Sequence, residues 1–155
     1  MNKKDLALFC YPWDVIDEGY DAIIDAVKRS GLNAIYITVN YHSGMFFLPH
    51  SKKRKIYFPE PGALYFKPSS WHNNHSFQSP ISNLTENWSQ FWEELSNQCK
   101  KNNIKLCAWM LGTHNSGIGN NYPNTSVYNA WGDPITHSLC PFNSDVLIIL
   151  SIYQE

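Results

Sequence analysis

The chain has 155 residues, of which 43% are hydrophobic and 15% are aromatic. A chain of this length and composition can bury a hydrophobic core, so intrinsic disorder is excluded. The formal net charge is −1, with lysines and arginines scattered along the chain, and a balance of this kind argues against nucleic acid as a partner. No segment reaches the roughly 18 apolar residues of a membrane span, so no membrane partner is expected.

The N-terminus and the cysteines indicate the compartment. The apolar run at residues 6–10 is too short for a signal-peptide core, and no small-residue cleavage site follows it. The four cysteines contain no C-x-x-C pair and show no metal-ligand spacing. We therefore expect a cytoplasmic protein with no cofactor and no metal.

Three apolar runs predict β-strands, at residues 6–11, 33–41 and 104–111. Continuous apolar runs of this length are typical of strands covered on both faces in a parallel sheet. Helical spacing of Ile23, Ile24 and Val27, followed by Gly31, predicts a helix near residues 17–30.

The clearest helical pattern lies at residues 86–101, where apolar residues recur as one stripe on a helix. Its members are Trp88, Phe91, Trp92, Leu95 and Cys99. The apolar residues 146–152 near the end of the chain fit a helix or a strand equally well. Residues 42–82 and 112–143 lack periodicity and are rich in Pro, Gly and Asn, which indicates long loops.

The alternation of strands and helices predicts an α/β fold with a parallel sheet. We expect residues 1–155 to form a single domain, the incomplete N-terminal part of a TIM (β/α)8 barrel. It would contain the first three strand-helix units, with long loops after the strands. A closed barrel needs about 200 to 250 residues, so we expect either a truncated chain or an open sheet that a partner completes. Its exposed sheet edge predicts self-association.

Polar and aromatic residues follow each predicted strand, where parallel α/β folds bind ligands. The candidate substrate-binding residues are Trp13, Asp14, Asn40, His42, His114 and Asn115. Sugar sites combine such polar groups with aromatic rings, so we expect a carbohydrate ligand. A structural role stays open for several of them: Trp13 can plug the barrel end, Asp14 can cap a helix, and His42 can be a structural histidine.

Glycoside hydrolysis requires two carboxylates about 5 to 10 Å apart. The candidate carboxylates near the strand ends are Asp14, Glu60 and Asp133. None of them follows a strand directly in an apolar setting, so the sequence reveals no catalytic pair, and the catalytic residues are unknown.

Two segments resemble the N-terminal portion of bacterial glycoside-hydrolase-like, α-amylase-like (β/α)8 barrel proteins. They are GMFFLPHSKKRKIYFPEPGALYF and WMLGTHNSGIGNNYPNTSVYNAWGDPITHSLCP. The likeness covers roughly residues 6–142 and is carried by the His114–Asn115 loop and by residues 129–133 and 139–141. The resemblance implies a carbohydrate-active barrel whose acid pair lies on later strands. The chain departs from this pattern after Pro141, where it becomes VLIILSIYQE.

We therefore expect the N-terminal fragment of a carbohydrate-active glycoside-hydrolase-like protein that is inactive alone, and the sequence leaves open whether it is an enzyme. One alternative is a metal-dependent sugar isomerase or endonuclease-type barrel, and the other is a non-catalytic carbohydrate-binding fragment. Candidate ligands for the metal-dependent alternative are His42, His50, His72, His75, His114 and His137.

Overall fold

The structure is a computed structural model that describes residues 4–68 and 79–152, with only the backbone of Ile152. The contacts divide the chain into two compact units. Unit 1 is drawn from Met1–Val39, Phe46–Tyr57 and Asn83–Trp109, and unit 2 is drawn from Asn40–Met45, Phe58–Ser82 and Met110–Glu155. This division leaves the predicted single domain untested, because two compact units can still unfold together.

Nine strands and five α-helices are found within the described residues. The strands are β1 (Ala7–Cys10), β2 (Ala34–Thr38), β3 (Asn40–Tyr41), β4 (Phe46–Phe47), β5 (Ile56–Tyr57), β6 (Ala63–Leu64), β7 (Lys105–Trp109), β8 (Ser126–Tyr128) and β9 (Pro134–Leu139). The helices are α1 (Pro12–Glu18), α2 (Tyr20–Arg29), α3 (Trp88–Lys101), α4 (Ser116–Asn121) and α5 (Ser144–Ile152), and a 3-10 turn spans Pro123–Thr125.

Unit 1 contains a three-stranded parallel sheet in the order β1-β2-β7. This pairing confirms the three predicted strands and their parallel arrangement. The central strand β2 pairs on both sides, and Ala34 lies opposite both Ala7 and Lys105. Its side chains Ile35 and Ile37 are fully buried, as expected for a central strand covered by helices.

The helices of unit 1 confirm the helical periodicity and add one element. Helix α2 lies within the predicted range, and α3 buries Trp88, Phe91, Leu95 and Cys99 of the predicted stripe, whereas Trp92 is half-buried. The additional element is the short helix α1, which begins at Pro12, a residue well suited to the first helical position.

The prediction of a partial TIM (β/α)8 barrel with three strand-helix units and long loops is wrong. The described residues form a small mixed α/β structure, with one three-stranded parallel sheet and three two-stranded antiparallel sheets. The antiparallel pairs are β3–β6, β4–β5 and β8–β9, and all lie in or beside segments predicted as loops. Most of these strands are too short to produce a readable alternation, which explains the error.

Unit 2 has a core of its own. Ile118 of α4, Leu139 of β9, and Val146 and Ile149 of α5 form its buried cluster. The C-terminal apolar run is therefore a helix, and the Asn143 side chain caps it by accepting from the backbone N–H groups of residues 145 and 146. Among the described helices, none is long and apolar enough to cross a membrane.

We expect Leu95→Ala to lower the free energy of unfolding by about 3 kcal/mol, because it opens a cavity under α3. Leu95 is 0% exposed. Denaturant unfolding followed by circular dichroism measures the change, with Asn97→Ala on the exposed side of α3 as the matched control. A loss below about 1 kcal/mol would mean that α3 does not pack as described.

Candidate functional site

The six candidate residues lie in both units. Trp13 and Asp14 belong to unit 1, and the other four belong to unit 2. Within unit 2, the structure brings His42 and His114 into direct contact, with 4.2 Å between their ring centroids. The candidate site is therefore developed from unit 2, and the roles of Trp13 and Asp14 are local to unit 1.

Trp13 is a core residue of unit 1. Its side chain is 0% exposed, and its ring stacks on Tyr11 at 4.4 Å between centroids. Phe46 and Tyr57 each approach the same ring at 4.9 Å. Because other rings enclose it in this way, the Trp13 ring has no face left for a sugar, which favours a structural role in the core of unit 1.

Asp14 acts as a cap for helix α1. Its Oδ2 atom accepts a hydrogen bond from the Tyr11 backbone N–H at 3.0 Å, as part of a capping box. Burial raises the pKa of Asp14 from 3.8 to about 6, although the Tyr11 N–H opposes the shift. The negative charges of Glu18 and Asp17 raise it further. Asp14 thus has the apolar setting that the sequence did not reveal.

Asn40 anchors the backbone of unit 2. Its Nδ2 atom donates to the Leu111 carbonyl at 2.9 Å, and its Oδ1 atom accepts from the Leu111 N–H at 2.8 Å. The side chain is 3% exposed, so it reaches a ligand poorly. These two bonds hold the chain just before His42 against the chain that leads to His114.

Asn115 has a similar structural role. It is buried, and its Oδ1 atom caps helix α4 by accepting from the Ile118 N–H at 3.0 Å. Gly62 lies against this amide with φ of 74°, and a Cβ atom at that position would collide with Asn115. Asn115 therefore fixes the start of α4, directly after His114.

Three imidazoles and one phenol ring form a row on the surface of unit 2. Ring centroids are separated by 4.5 Å between Tyr41 and His42, by 4.2 Å between His42 and His114, and by 5.6 Å between His114 and His137. We call Tyr41, His42, His114 and His137 the histidine row. His114 and His137 are exposed, and His42 is half-buried, so a ligand can reach the row.

Sequence reasoning did not include His137 in the site, because a bulge in β9 places it there. Val127 pairs with Ile135, but the preceding residue, Ser126, pairs with Leu139, so β9 carries extra residues between the two pairs. Bulges of this kind redirect side chains and are frequent beside functional sites. Ser138 also bridges to His114, which brings the bulge and the His114 loop together.

The electrostatics of the histidine row favour an uncharged His114 ring. Burial lowers the pKa of His114, and positive charge on His42 or His137 lowers it further. Residues 110–155 contain no lysine and no arginine, so this part of the sequence supplies no permanent cation. The lowered pKa favours the neutral form of His114, which has one hydrogen-bond donor and one acceptor on its ring.

The other candidate carboxylates have structural partners. Glu60 accepts from the Ser82 hydroxyl at 3.2 Å, and Asp133 accepts from the Asn129 amide at 3.0 Å. In the described part of the chain, no group of three His, Cys, Asp or Glu side chains is placed to hold a metal ion. Two candidate metal ligands, His72 and His75, lie outside the described residues.

A cavity of about 690 Å³ lies elsewhere in unit 2, and no residue of the histidine row lines it. Its walls include Pro61, Ile81, Ile118 and Tyr122, with Lys67 as the charged lining residue. The size suits a small ligand. The apolar walls make this cavity a poorer match for a polyhydroxylated molecule than the row.

Comparison with family models, with curated proteins and with solved structures finds no match to this chain.

We expect Asn40→Ala to lower the free energy of unfolding by about 2 to 4 kcal/mol, because it strips partners from both backbone groups of Leu111. Urea unfolding measures the loss, and Asn120→Ala on the exposed side of α4 is the control. The variant should also separate the His42 and His114 rings, which changes their NMR ring resonances. Unchanged resonances would show that Asn40 does not position the row.

The raised pKa of Asp14 predicts a pH dependence of stability. The folded state holds the Asp14 proton more tightly than the unfolded state, so this carboxyl lowers stability as pH rises from about 4 to about 6. Asp14→Asn keeps an acceptor for the Tyr11 N–H and removes the titration. The free energy of unfolding of the variant, relative to that of the wild type, should therefore rise by on the order of 2 kcal/mol as the pH increases from about 4 to about 7.

Urea unfolding at both pH values measures this gain, and Asp25→Asn, on the exposed side of α2, is the control. Equal pH profiles for wild type and Asp14→Asn would contradict the buried setting of this carboxyl.

Proposed function

We propose that this chain binds carbohydrate through the histidine row and does not hydrolyse glycosides by itself. The observation that carries the proposal is the accessible row of Tyr41, His42, His114 and His137. Sugars present hydroxyl groups that donate and accept hydrogen bonds, and C–H faces that pack on aromatic rings. Neutral imidazoles supply both kinds of contact from one surface.

Charge supports a neutral polar ligand over the other classes. Phosphate-bearing ligands and nucleic acids bind through lysine and arginine, and residues 110–155 contain neither. The same stretch is rich in Asn, Ser and Thr, whose side chains hydrogen-bond hydroxyl groups. The Ser43 and Ser116 hydroxyls, which lie next to His42 and close to His114 in sequence, bond each other at 2.9 Å.

Binding without turnover is proposed because Glu60 and Asp133 each serve a structural partner, and Asp14 caps α1. A glycosidase needs an acid and a base or nucleophile facing each other across one bond. A cytoplasmic location is part of the proposal, since Cys10, Cys99, Cys107 and Cys140 are free thiols.

Binding to a panel of oligosaccharides, measured by isothermal titration calorimetry, tests the proposal. His42→Ala and His114→Ala should each weaken binding about tenfold, the loss of one good polar contact. His50→Ala is the matched control, because His50 is exposed in unit 1 and does not belong to the row. Binding should weaken when acid protonates His114, and the lowered pKa of His114 moves that loss to a more acidic pH than for an ordinary histidine.

Two results would contradict this proposal. One is oligosaccharide turnover that disappears in Asp14→Asn or Asp133→Asn, which would make the chain an enzyme. The other is stoichiometric binding of zinc or nickel that requires His42, His114 and His137, together with no affinity for sugars. That second result would favour the metal-dependent alternative.

A further inference from the structure

The loop that joins β8 to β9, residues 129–133, is held in one shape by hydrogen bonds from a single side chain. The Asn129 Oδ1 atom accepts from the backbone N–H groups of Trp131 and Asp133, both at 2.9 Å. Its Nδ2 atom donates to Asp133 Oδ2 at 3.0 Å. Gly132 supplies the positive φ of 87° that the turn requires. We call residues 129–133 the tip loop.

The tip loop presents an indole ring to solvent. Trp131 is 87% exposed, and the Asn129 bonds fix the backbone on which it stands. Tyr128, at the end of β8, is also exposed. Rigid aromatic side chains supply contact area to a ligand at a low cost in conformational entropy. The loop is thus organised to offer this ring before any ligand arrives.

Asp133 places a carboxylate two residues from the indole. A carboxylate can accept several hydrogen bonds, so the one from Asn129 leaves capacity for a ligand. Asp133 is exposed, and residues 110–155 supply no lysine or arginine to neutralise it. An acidic group beside an exposed indole disfavours an anionic membrane surface, which attracts basic segments. The pair suits a ligand with hydroxyl groups and an apolar face.

We propose that Trp131 and Asp133 form a second carbohydrate subsite, in which a sugar ring stacks on the indole and donates a hydroxyl to the carboxylate. This subsite rests on the proposed function of the histidine row. It extends that proposal to the length of the ligand, which would contact both sites. Trp131 and His137 belong to one hairpin and are six residues apart in the sequence. Six residues of extended chain span at most roughly 20 Å. One oligosaccharide can therefore reach both positions, and this is the ligand that we infer for the two sites together.

The test compares short and long oligosaccharides from the same series by isothermal titration calorimetry. Trp131→Ala should weaken hexasaccharide binding about tenfold and leave disaccharide binding unchanged. Trp131→Tyr should restore most of the affinity, because it keeps a ring that can stack. Asp133→Asn, which keeps an acceptor for Asn129, should produce a smaller loss. Phe142→Ala is the matched control, since Phe142 is 93% exposed in unit 2 and lies outside the tip loop.

The outcomes separate this subsite from the proposed function. If His114→Ala weakens both ligands and Trp131→Ala weakens neither, the subsite is overturned and the row stands. If Trp131→Ala weakens the disaccharide and the hexasaccharide equally, the separate subsite is also overturned. If the wild type binds no oligosaccharide of any length, both proposals fall. Binding to phosphatidylcholine vesicles that depends on Trp131 would identify the tip loop as a membrane contact and overturn the subsite. Equal melting temperatures of the variants show that each change is local.

Discussion

Two hydrogen bonds between the Asn40 side chain and the backbone of Leu111 hold the segments that carry His42 and His114 together. The Asn40 side-chain amide has a donor group and an acceptor atom, so it can bond both backbone groups of Leu111, as a neighbouring strand would. Because Asn40 is buried, these bonds lie away from water, and breaking them leaves polar groups without compensation. His42 follows Asn40 by two residues and His114 follows Leu111 by three, so these bonds position both histidines.

Two glycines allow helix α4 to lie very close to neighbouring backbone. A Cβ atom on Gly119 would collide with the Thr136 carbonyl, and one on Gly117 would collide with the Pro61 carbonyl. Helix α4 can therefore lie directly on the bulged part of β9, where His137 is placed beside His114. The proximity of His42 and His137, together with partial burial, lowers the pKa of His114 and favours its uncharged form. The uncharged form of His114 is thus a consequence of packing.

The sequence could predict elements whose residues repeat regularly. Strands β1, β2 and β7 and helices α2 and α3 are long enough for their apolar residues to show the period. The rule that parallel α/β folds bind ligands at the ends of their strands also selected His42 and His114, which the structure places in contact. The prediction of a barrel was wrong because strands such as β4 and β5, which pair Phe46 with Tyr57, have only two residues and leave no periodic pattern in the sequence. His137 was predicted only as a candidate metal ligand, because its place beside His114 depends on a bulge, and Asn40 and Asn115 bond backbone groups that no motif reveals.

The central claim is that a carbohydrate contacts the histidine row, and NMR of the imidazole rings tests it most directly. Titration with an oligosaccharide should shift the ring resonances of His42, His114 and His137 together. The resonances of His50, in unit 1, should stay unchanged. Shifts confined to residues that line the apolar cavity, such as Ile118 and Tyr122, with the row unchanged, would contradict the account.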